Sequence, residues 1–158
     1  MGNMVQNFIG FDGRLNRQAW WISVIILIVV AIVLNFILGA VMGTGMMMSP
    51  ADLAQSGTLQ KLALQSLIIS VLTTYPYLAI TIKRRHDRNN NGYDAAGLII
   101  LSILYNLAGA FGLISPTGTI AMIFGIVFLI YGIYILVQVG FLKGTPGANS
   151  YGPDPLGG

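Results

Sequence analysis

Residues 84–94 hold most of the side chains in this sequence that could take part in acid–base or anion-binding chemistry. The stretch contains three of the eight cationic side chains, two of the five acidic ones and the only histidine of a 158-residue chain. These residues are Arg84, Arg85, His86, Asp87, Arg88 and Asp94. Guanidinium groups bind phosphate oxygens in bidentate fashion, and histidine changes its charge near neutral pH. The stretch is therefore a candidate site for an anionic group, with pH-sensitive binding.

His86 and Asp87 are adjacent and resemble a catalytic pair, but helical geometry argues against that role. Neighbouring residues on a helix point about 100° apart and do not face one another. Spacings of three and four residues instead favour an ion pair of Asp87 with Arg84 or with Lys83. A carboxylate that orients His86 would have to come from another segment, for example Asp12 or Asp154. We therefore predict no catalytic residue.

Residues 87–92 match the first half of a calcium-binding loop, with oxygen ligands at positions 1, 3 and 5 and glycine at position 6. In this register Leu98 takes position 12, where a bidentate Glu is required, and the chain contains no Glu. A turn that ends a helix is the better interpretation, because asparagine and glycine tolerate positive φ. We therefore predict no metal and no cofactor.

The elements that must position these side chains are membrane-spanning helices. The chain is 55% hydrophobic and 8% charged, against roughly 25% charged residues in a soluble domain. Charged residues are absent from 18–51, 62–82 and 95–142, and about 20 apolar residues cross a bilayer. Turn-forming residues at 115–118 divide the last run. We predict one all-α membrane domain, residues 1–158, with four transmembrane helices at about 19–42, 62–82, 95–114 and 119–142.

The distribution of cations predicts the orientation of these helices. Seven Lys and Arg residues lie in the N-terminal segment, the loop after the second helix and the tail, whereas Lys61 lies on the opposite side. The positive-inside rule then places both termini and the second loop in the cytoplasm. Trp20 and Tyr93 occupy positions of an interfacial aromatic belt. Residues 49–52 predict a short periplasmic helix in the first loop.

Small residues recur along two predicted helices at spacings that permit close helix packing. They include Gly39 and Gly43 in the first helix, and Gly118, Gly125 and Gly132 in the fourth. Such seams form contacts within one chain or between copies in a homo-oligomer.

Pro76 and three polar side chains are the irregular features within the spans. Pro76 removes a backbone hydrogen bond and kinks its helix, and the hydroxyls at 73–74 can bond the freed carbonyls. Asn35, Asn106 and Gln138 predict interhelical hydrogen bonds. In a transporter or channel subunit they would instead line a water-accessible path.

Three segments together are similar to a known protein family. The shared residues are Phe11, Gly13, Arg14, Arg17 and Trp20 or Trp21, then Arg84, Arg85, His86, Asp87, Gly92 and Tyr93, and then Gly144, Gly147, Asn149, Tyr151, Gly152, Pro153, Asp154 and Pro155. This pattern resembles the bacterial inner-membrane family of unknown function DUF805, in which the position of Tyr93 is often tryptophan. The resemblance implies a four-helix inner-membrane protein and supplies no activity, substrate or cofactor.

All three segments fall on the side that the cation count makes cytoplasmic. We therefore predict that residues 8–17, 83–94 and 144–155 fold together into one polar cap. Its ion pairs would join Asp12, Asp87 and Asp154 to Arg14, Arg84, Arg85 or Arg88. Its structural residues would be Phe11, Asp12, Gly13, Arg17, Trp20, Gly92, Asn149, Tyr151 and Asp154.

The leading functional hypothesis is a binding or scaffold protein whose cap recognises an anionic lipid headgroup or a small phosphate-bearing ligand. The predicted binding residues are Arg14, Arg84, Arg85, His86, Asp87, Arg88 and Tyr93. The alternative is a small transporter or channel subunit that moves its helices at Pro76 and the glycine seams. A membrane-embedded enzyme acting on lipid, with His86 as base, is the third hypothesis. Nucleic acid is not an expected partner, because topology explains cations beside a bilayer.

Overall fold

The computed structural model of the chain describes residues 4–45, 49–53, 57–115 and 118–157. These residues form six α-helices and a π-helical turn. The long helices are α2 (Arg17–Met42), α4 (Thr58–Asp87), α5 (Tyr93–Ala110) and α6 (Thr119–Leu136), which continues into the π turn Val137–Phe141; α1 (Met4–Asn7) and α3 (Pro50–Leu53) are single turns. Within the described ranges the only β-pairing is an isolated bridge in the tail. The all-α class predicted from composition is confirmed.

Three of the helices, Arg17–Met42, Thr58–Asp87 and Thr119–Phe141, are long and apolar enough to cross a membrane. The fourth apolar helix, α5, has 18 residues and is therefore about 27 Å long at 1.5 Å per residue. That length is close to the roughly 30 Å of the hydrocarbon core. Many large apolar side chains of these helices are exposed on the chain, as expected where the solvent is lipid.

The helix α4 continues beyond the predicted span of 62–82 at both ends. Its last turn contains Arg84, Arg85 and His86, so these residues lie on a helix and not in a loop, and the predicted loop start at residue 83 is wrong. Cations are favoured in this turn because the C-terminal end of a helix carries partial negative charge. The connection to α5 is short, with left-handed backbone at Asn89 (φ 56°) and Gly92 (φ 75°). The predicted helix-ending turn is confirmed.

The helix α2 begins and ends at identifiable caps. The side chain of Asn16 accepts a hydrogen bond from Ala19 N at 2.8 Å, as is typical of an N-cap residue. At the other end Gly43 adopts φ 70° and donates its N–H to the carbonyl of Gly39, so Gly43 is the C-cap residue of this helix. The packing of Gly39 and Gly43 against a second copy stays a prediction. A Cβ at Gly39 would lie 3.3 Å from Thr44 O, which shows that this glycine accommodates the chain leaving the helix.

The glycines of α6 leave space beside the helix within the described part of the chain. A Cβ at Gly125 or Gly132 would meet no atom of the described residues within 4 Å. The helix α5 ends at Ala110, four residues before the predicted 114, in a turn where Gly112 has φ 69°. Residues 116 and 117, which the sequence assigned to the turn between the last two helices, lie outside the described residues.

Pro76 lies inside α4, and the neighbouring hydroxyls behave differently from the prediction. A proline leaves the carbonyl four residues earlier, here that of Leu72, without its helical donor. Thr73 and Thr74 donate instead to the carbonyls of Ile69 and Ser70, at 2.8 and 2.5 Å. The prediction that they bond the freed carbonyl is therefore wrong.

The core of the bundle lies near one end of the helices. The helix α4 packs against α2 and α5, and the π turn contacts both α2 and α4. The buried apolar cluster consists of Leu15, Trp20, Ile80, Ala95, Ile135 and Val139. These residues come from the start of α2, the end of α4, the start of α5 and the end of α6. The polar segments of the chain join the bundle at this same end.

Candidate functional site

Asp87, in the last turn of α4, is a buried carboxylate bound by two arginines. Arg14 donates to its Oδ1 through Nη2 at 3.0 Å and through Nε at 3.2 Å, and Arg84 donates to its Oδ2. The Asp87 side chain is 4% exposed and both arginine side chains are 1% exposed or less. The predicted pairs of Asp87 are therefore present. Loss of one partner would leave an uncompensated charge in this site.

The ion pairs predicted for the other two aspartates are not formed. Asp12 is exposed, and Asp154 accepts hydrogen bonds from two backbone N–H groups of the tail; within the described ranges neither forms an ion pair with an arginine. Arg85 pairs instead with Asp94, at 2.5 and 3.2 Å. Asp94 lies in the predicted cap, but its ion pair with Arg85 was not predicted. Its position in the first turn of α5, where a helix favours an acid, is the signal that could have found it.

Arginine and tryptophan side chains donate hydrogen bonds to the backbone carbonyls at the end of the last helix. The final carbonyls of a helix lack an intrahelical donor, and this end carries partial negative charge. Five consecutive carbonyls, residues 138–142, accept hydrogen bonds from side chains of other segments. The donors are Arg88 to Gln138, Arg84 to Val139 and Leu142, Trp21 to Gly140 and Arg17 to Phe141. This arrangement explains why arginines are concentrated at residues 84–88.

The tail is bound to the end of α4 by backbone and side-chain contacts. Thr145 donates to the carbonyl of Asp87 through its N–H at 2.8 Å and its hydroxyl at 3.0 Å. Arg14 donates to the carbonyls of Thr145 and Gly147 at 2.6 and 2.5 Å. A Cβ at Gly144 would lie 2.7 Å from Asp87 Cγ, so only glycine fits where the tail passes the carboxylate.

His86 is held between the N-terminal segment and the tail. Its ring stacks on Tyr151 with centroids 3.9 Å apart, and its Nδ1 lies 3.1 Å from the carbonyl oxygen of Gly13. Asn149 donates to the carbonyl of His86 at 2.9 Å. The imidazole is thus oriented by the carbonyl of Gly13 and the ring of Tyr151. It is not oriented by the carboxylate of Asp12 or Asp154, which the sequence analysis had considered.

The remaining predicted residues take structural or peripheral positions. Phe11 packs edge-to-face on Tyr75 of α4, with ring centroids 5.5 Å apart. Trp20 is buried in the core, and Gly92 lies close to the backbone of Ile82 in α4. Tyr93 is 76% exposed.

A cavity of about 440 Å³ opens between the start of α2 and the tail. It is lined by Arg17, Gln18, Lys143, Thr145 and Asp154, with the Arg84–Asp87 pair among its walls. Arg17 and Lys143 are exposed. The Lys143 ammonium forms no ion pair or hydrogen bond with the part of the chain that the structure describes. Sequence reasoning did not assign Lys143 to the site, although it is a lone cation that directly follows a span.

The carboxylate of Asp154 borders the same cavity. Hydrogen bonds from the backbone N–H groups of Leu156 and Gly147 lower the pKa of Asp154 below its ordinary value. The side chain is therefore ionised at neutral pH. The cavity consequently offers two cationic groups and one anionic group to a ligand.

The three polar residues within the spans have different hydrogen-bond partners. The carbonyl of Asn35 accepts from Gln65, Asn106 bonds Ser102 and lines a separate cavity of about 570 Å³, and Gln138 is bound by Arg85 and Arg88. A smaller cavity of about 280 Å³ lies between α2, α4 and α5.

These features define an all-α integral membrane protein in which all but one of the Lys and Arg residues lie at one end of the helices. The chain belongs to the family described as "Protein of unknown function (DUF805)", whose model matches residues 8–153. The family predicted from the three motifs is confirmed.

Two proteins of Escherichia coli (strain K12) are similar to this chain over nearly its whole length. Inner membrane protein YhaI is 25% identical over 153 residues, which cover 97% of this chain and 92% of the relative. Inner membrane protein YhaH is 25% identical over 152 residues, covering 96% and 92%. No solved structure matches the chain. The chain is thus an integral inner-membrane protein of the DUF805 family.

Proposed function

We propose that this protein is a membrane-embedded binding protein whose polar cap recognises a phosphate group, carried by an anionic phospholipid headgroup or a small ligand. The observation that carries the proposal is the exposure of Arg17 and Lys143 on one cavity of about 440 Å³. Phosphate oxygens are strong acceptors for guanidinium and ammonium groups. These two side chains are the donors that we assign to the ligand.

The arginines first expected to bind the ligand are already bound within the protein. Arg14 and Arg84 are buried against Asp87, and Arg85 is buried against Asp94. Turning any of them toward a ligand would leave a buried carboxylate or carbonyl without its partner, which is costly. Arg17 makes one hydrogen bond, to Phe141 O at 2.9 Å, and a guanidinium has five N–H donors. Its other donors remain for a ligand.

The position of the cavity favours a lipid headgroup over a soluble ligand. It lies where α2 begins and where the π turn ends, beside the exposed apolar side chains of Phe141 and Leu142. Trp21 packs edge-to-face on Phe141 at 6.0 Å. Aromatic residues with Lys and Arg at the ends of spans are typical of the headgroup level, where basic pockets bind anionic headgroups.

We further propose four crossings with both termini in the cytoplasm. Arg14, which precedes α2, contacts the carbonyls of the tail, so the two ends of the described chain meet at one end of the bundle. Meeting at one end requires an even number of crossings, and α5 is the apolar helix that would make the fourth. The excess of cations at this end favours the cytoplasmic side.

The test is native mass spectrometry of the full-length protein purified with its bound lipid. The double variant Arg17→Gln, Lys143→Gln removes both proposed donors, and Lys61→Gln removes an exposed cation at the opposite end of α4. We expect anionic phospholipid to co-purify with the wild type and with Lys61→Gln, and to fall several-fold in the double variant. Equal retention by all three proteins would overturn the proposal.

A second arm separates the two sources of phosphate. Glycerol phosphate is added to wild-type protein in nanodiscs of zwitterionic lipid, and binding is followed by the change in tryptophan fluorescence, since Trp21 packs on Phe141 beside the cavity. Binding by the wild type and not by the double variant, without lipid enrichment, would assign the site to a small ligand. Lipid enrichment without that response would assign it to a headgroup.

A further inference from the structure

The segment that precedes α2 carries apolar side chains that the protein does not cover. Met4, Val5 and Ile9 are 53%, 57% and 62% exposed, whereas Phe8 between them packs against the core. Residues 4–11 contain no charged side chain. Three large apolar side chains on one short segment would be unfavourably placed in water.

Contacts with the long helices place this segment beside the spans. Gly10 N donates to the hydroxyl of Tyr75 at 3.3 Å, and Tyr75 lies eight residues before Lys83 in α4, about 12 Å along the helix. Met4 borders a cavity of about 420 Å³ together with Ile22 of α2, and Ile22 lies about 7 Å beyond the start of that helix. The segment therefore returns along the bundle from the level of Arg14 toward the membrane.

Backbone carbonyls of this segment accept hydrogen bonds from a side chain of α4, as carbonyls near the hydrocarbon require. Only one helical turn, Met4–Asn7, is regular, and carbonyls outside a helix are costly near hydrocarbon unless they are bonded. The ammonium of Lys83 donates to the carbonyls of Gln6, Asn7 and Ile9 at 2.6, 3.3 and 3.0 Å. Lys83 itself is 7% exposed. Its charge is thus used to bind this segment and not to face water.

We infer that residues 4–11 form an interfacial membrane anchor, with Met4, Val5 and Ile9 inserted at the boundary between headgroups and acyl chains. The exposed side chains of this segment continue the lipid-facing surface of Ile22 and Tyr75. An uncharged surface of a few side chains is much smaller than the roughly 1,000 Å² of a specific protein interface. Lipid, and not a second copy of the chain, is therefore the partner. Burial of such side chains in the interface is the usual basis of monotopic attachment.

The inference is tested by nitroxide labels on single cysteines, because the chain has no cysteine of its own. Val5→Cys and Ile9→Cys report on the segment in full-length protein reconstituted into liposomes. Ile25→Cys, on the exposed face of α2, is the lipid control, and Ser150→Cys, exposed in the tail, is the aqueous control. Collision rates with oxygen, which partitions into lipid, and with a water-soluble nickel chelate are measured by power-saturation electron paramagnetic resonance.

We expect the labels at residues 5 and 9 to collide with oxygen several-fold more effectively than with the nickel chelate, as at residue 25. Nickel accessibility equal to that at residue 150 would place the segment in water and overturn the inference. Low accessibility to both reagents would also overturn it, because the segment would then be covered by protein. The result is independent of ligand binding in the cavity of Arg17 and Lys143.

Discussion

At the scale of single residues, Asp87 organises the charged end of the bundle. It binds one arginine from the segment before α2 and one from its own helix, and its carbonyl binds Thr145 of the tail. Buried ion pairs contribute little to stability relative to apolar packing, but removal of one member is strongly destabilising. The contribution of Asp87 to stability is therefore best measured by substituting this residue.

We predict that Asp87→Asn lowers the free energy of unfolding by about 3–5 kcal/mol, because Arg14 and Arg84 lose their counter-charge in a buried site. The measurement is thermal or denaturant-induced unfolding of the purified protein in detergent. Asp12→Asn is the matched control, since Asp12 is exposed and surface substitutions usually change stability by less than about 0.5 kcal/mol. A similar loss in both variants would contradict the central role of Asp87.

The residue scale also shows what helical spacing can and cannot predict. The pair of Arg84 with Asp87 follows from their separation of three. The bond from Arg14 crosses 73 positions, so only the shared charge pattern of the two segments suggested it. The pair of Arg85 with Asp94 depends on the end of one helix lying close to the start of the next, which spacing within a single helix does not predict.

At the scale of elements, the spans were predictable but their ends were not. Apolar runs locate the hydrocarbon-crossing parts, yet α4 continues through residues 83–87 because its last carbonyls find donors in Thr145, Asn149 and the following turn. The π turn at residues 137–141 leaves no periodic signal in so apolar a sequence. Its carbonyls accept hydrogen bonds from side chains at the start of α2 and the end of α4. Donors so distant in the sequence cannot be predicted from a local pattern.

The Asp154 carboxylate stabilises a turn within the tail, and we predict that this turn depends on pH. Asp154 accepts from the N–H groups of Gly147 and Leu156 and has a lowered pKa. A group with a depressed pKa contributes stability that is present above its unfolded pKa of 3.8 and is lost as the pH falls through the lower folded pKa. We predict that a spin label at Leu156→Cys becomes more mobile as the pH falls below that range.

Two companion variants make this prediction specific. Adding Asp154→Asn should increase the mobility of the label at neutral pH and remove its pH dependence, because an amide has one acceptor oxygen where the carboxylate uses two. Adding Asp12→Asn should leave the response unchanged, as Asp12 makes no side-chain bond to the tail. A transition that persists in Asp154→Asn would assign the pH dependence to another group.

At the scale of the whole molecule, the cations that predict topology also hold the structure together. Six of the eight Lys and Arg side chains donate hydrogen bonds to atoms of the chain at the charged end of the bundle, namely Arg14, Arg17, Lys83, Arg84, Arg85 and Arg88. Composition could not reveal this second use, because the positive-inside rule counts charges without regard to their partners.

We predict that single cysteines report four crossings with both ends in the cytoplasm. Asp52→Cys and Phe111→Cys lie in the first and third connections, and Asp12→Cys and Ser150→Cys lie at the opposite end. In intact spheroplasts a membrane-impermeant maleimide should label residues 52 and 111, and label residues 12 and 150 only after permeabilisation. Protection of residue 111 with labelling of residue 52 would show that α5 does not cross.

The narrow passage of Gly144 past the Asp87 carboxylate has a consequence for biogenesis. Asp87 leaves the ribosome with the second long helix, but its backbone partner Thr145 is synthesised 58 residues later, after both remaining apolar helices. In a nascent chain that stops before Thr145, the carbonyl of Asp87 at the end of α4 would lack its hydrogen-bond donors from the tail. The contact between the tail and Asp87 therefore forms only after all four apolar helices have been synthesised.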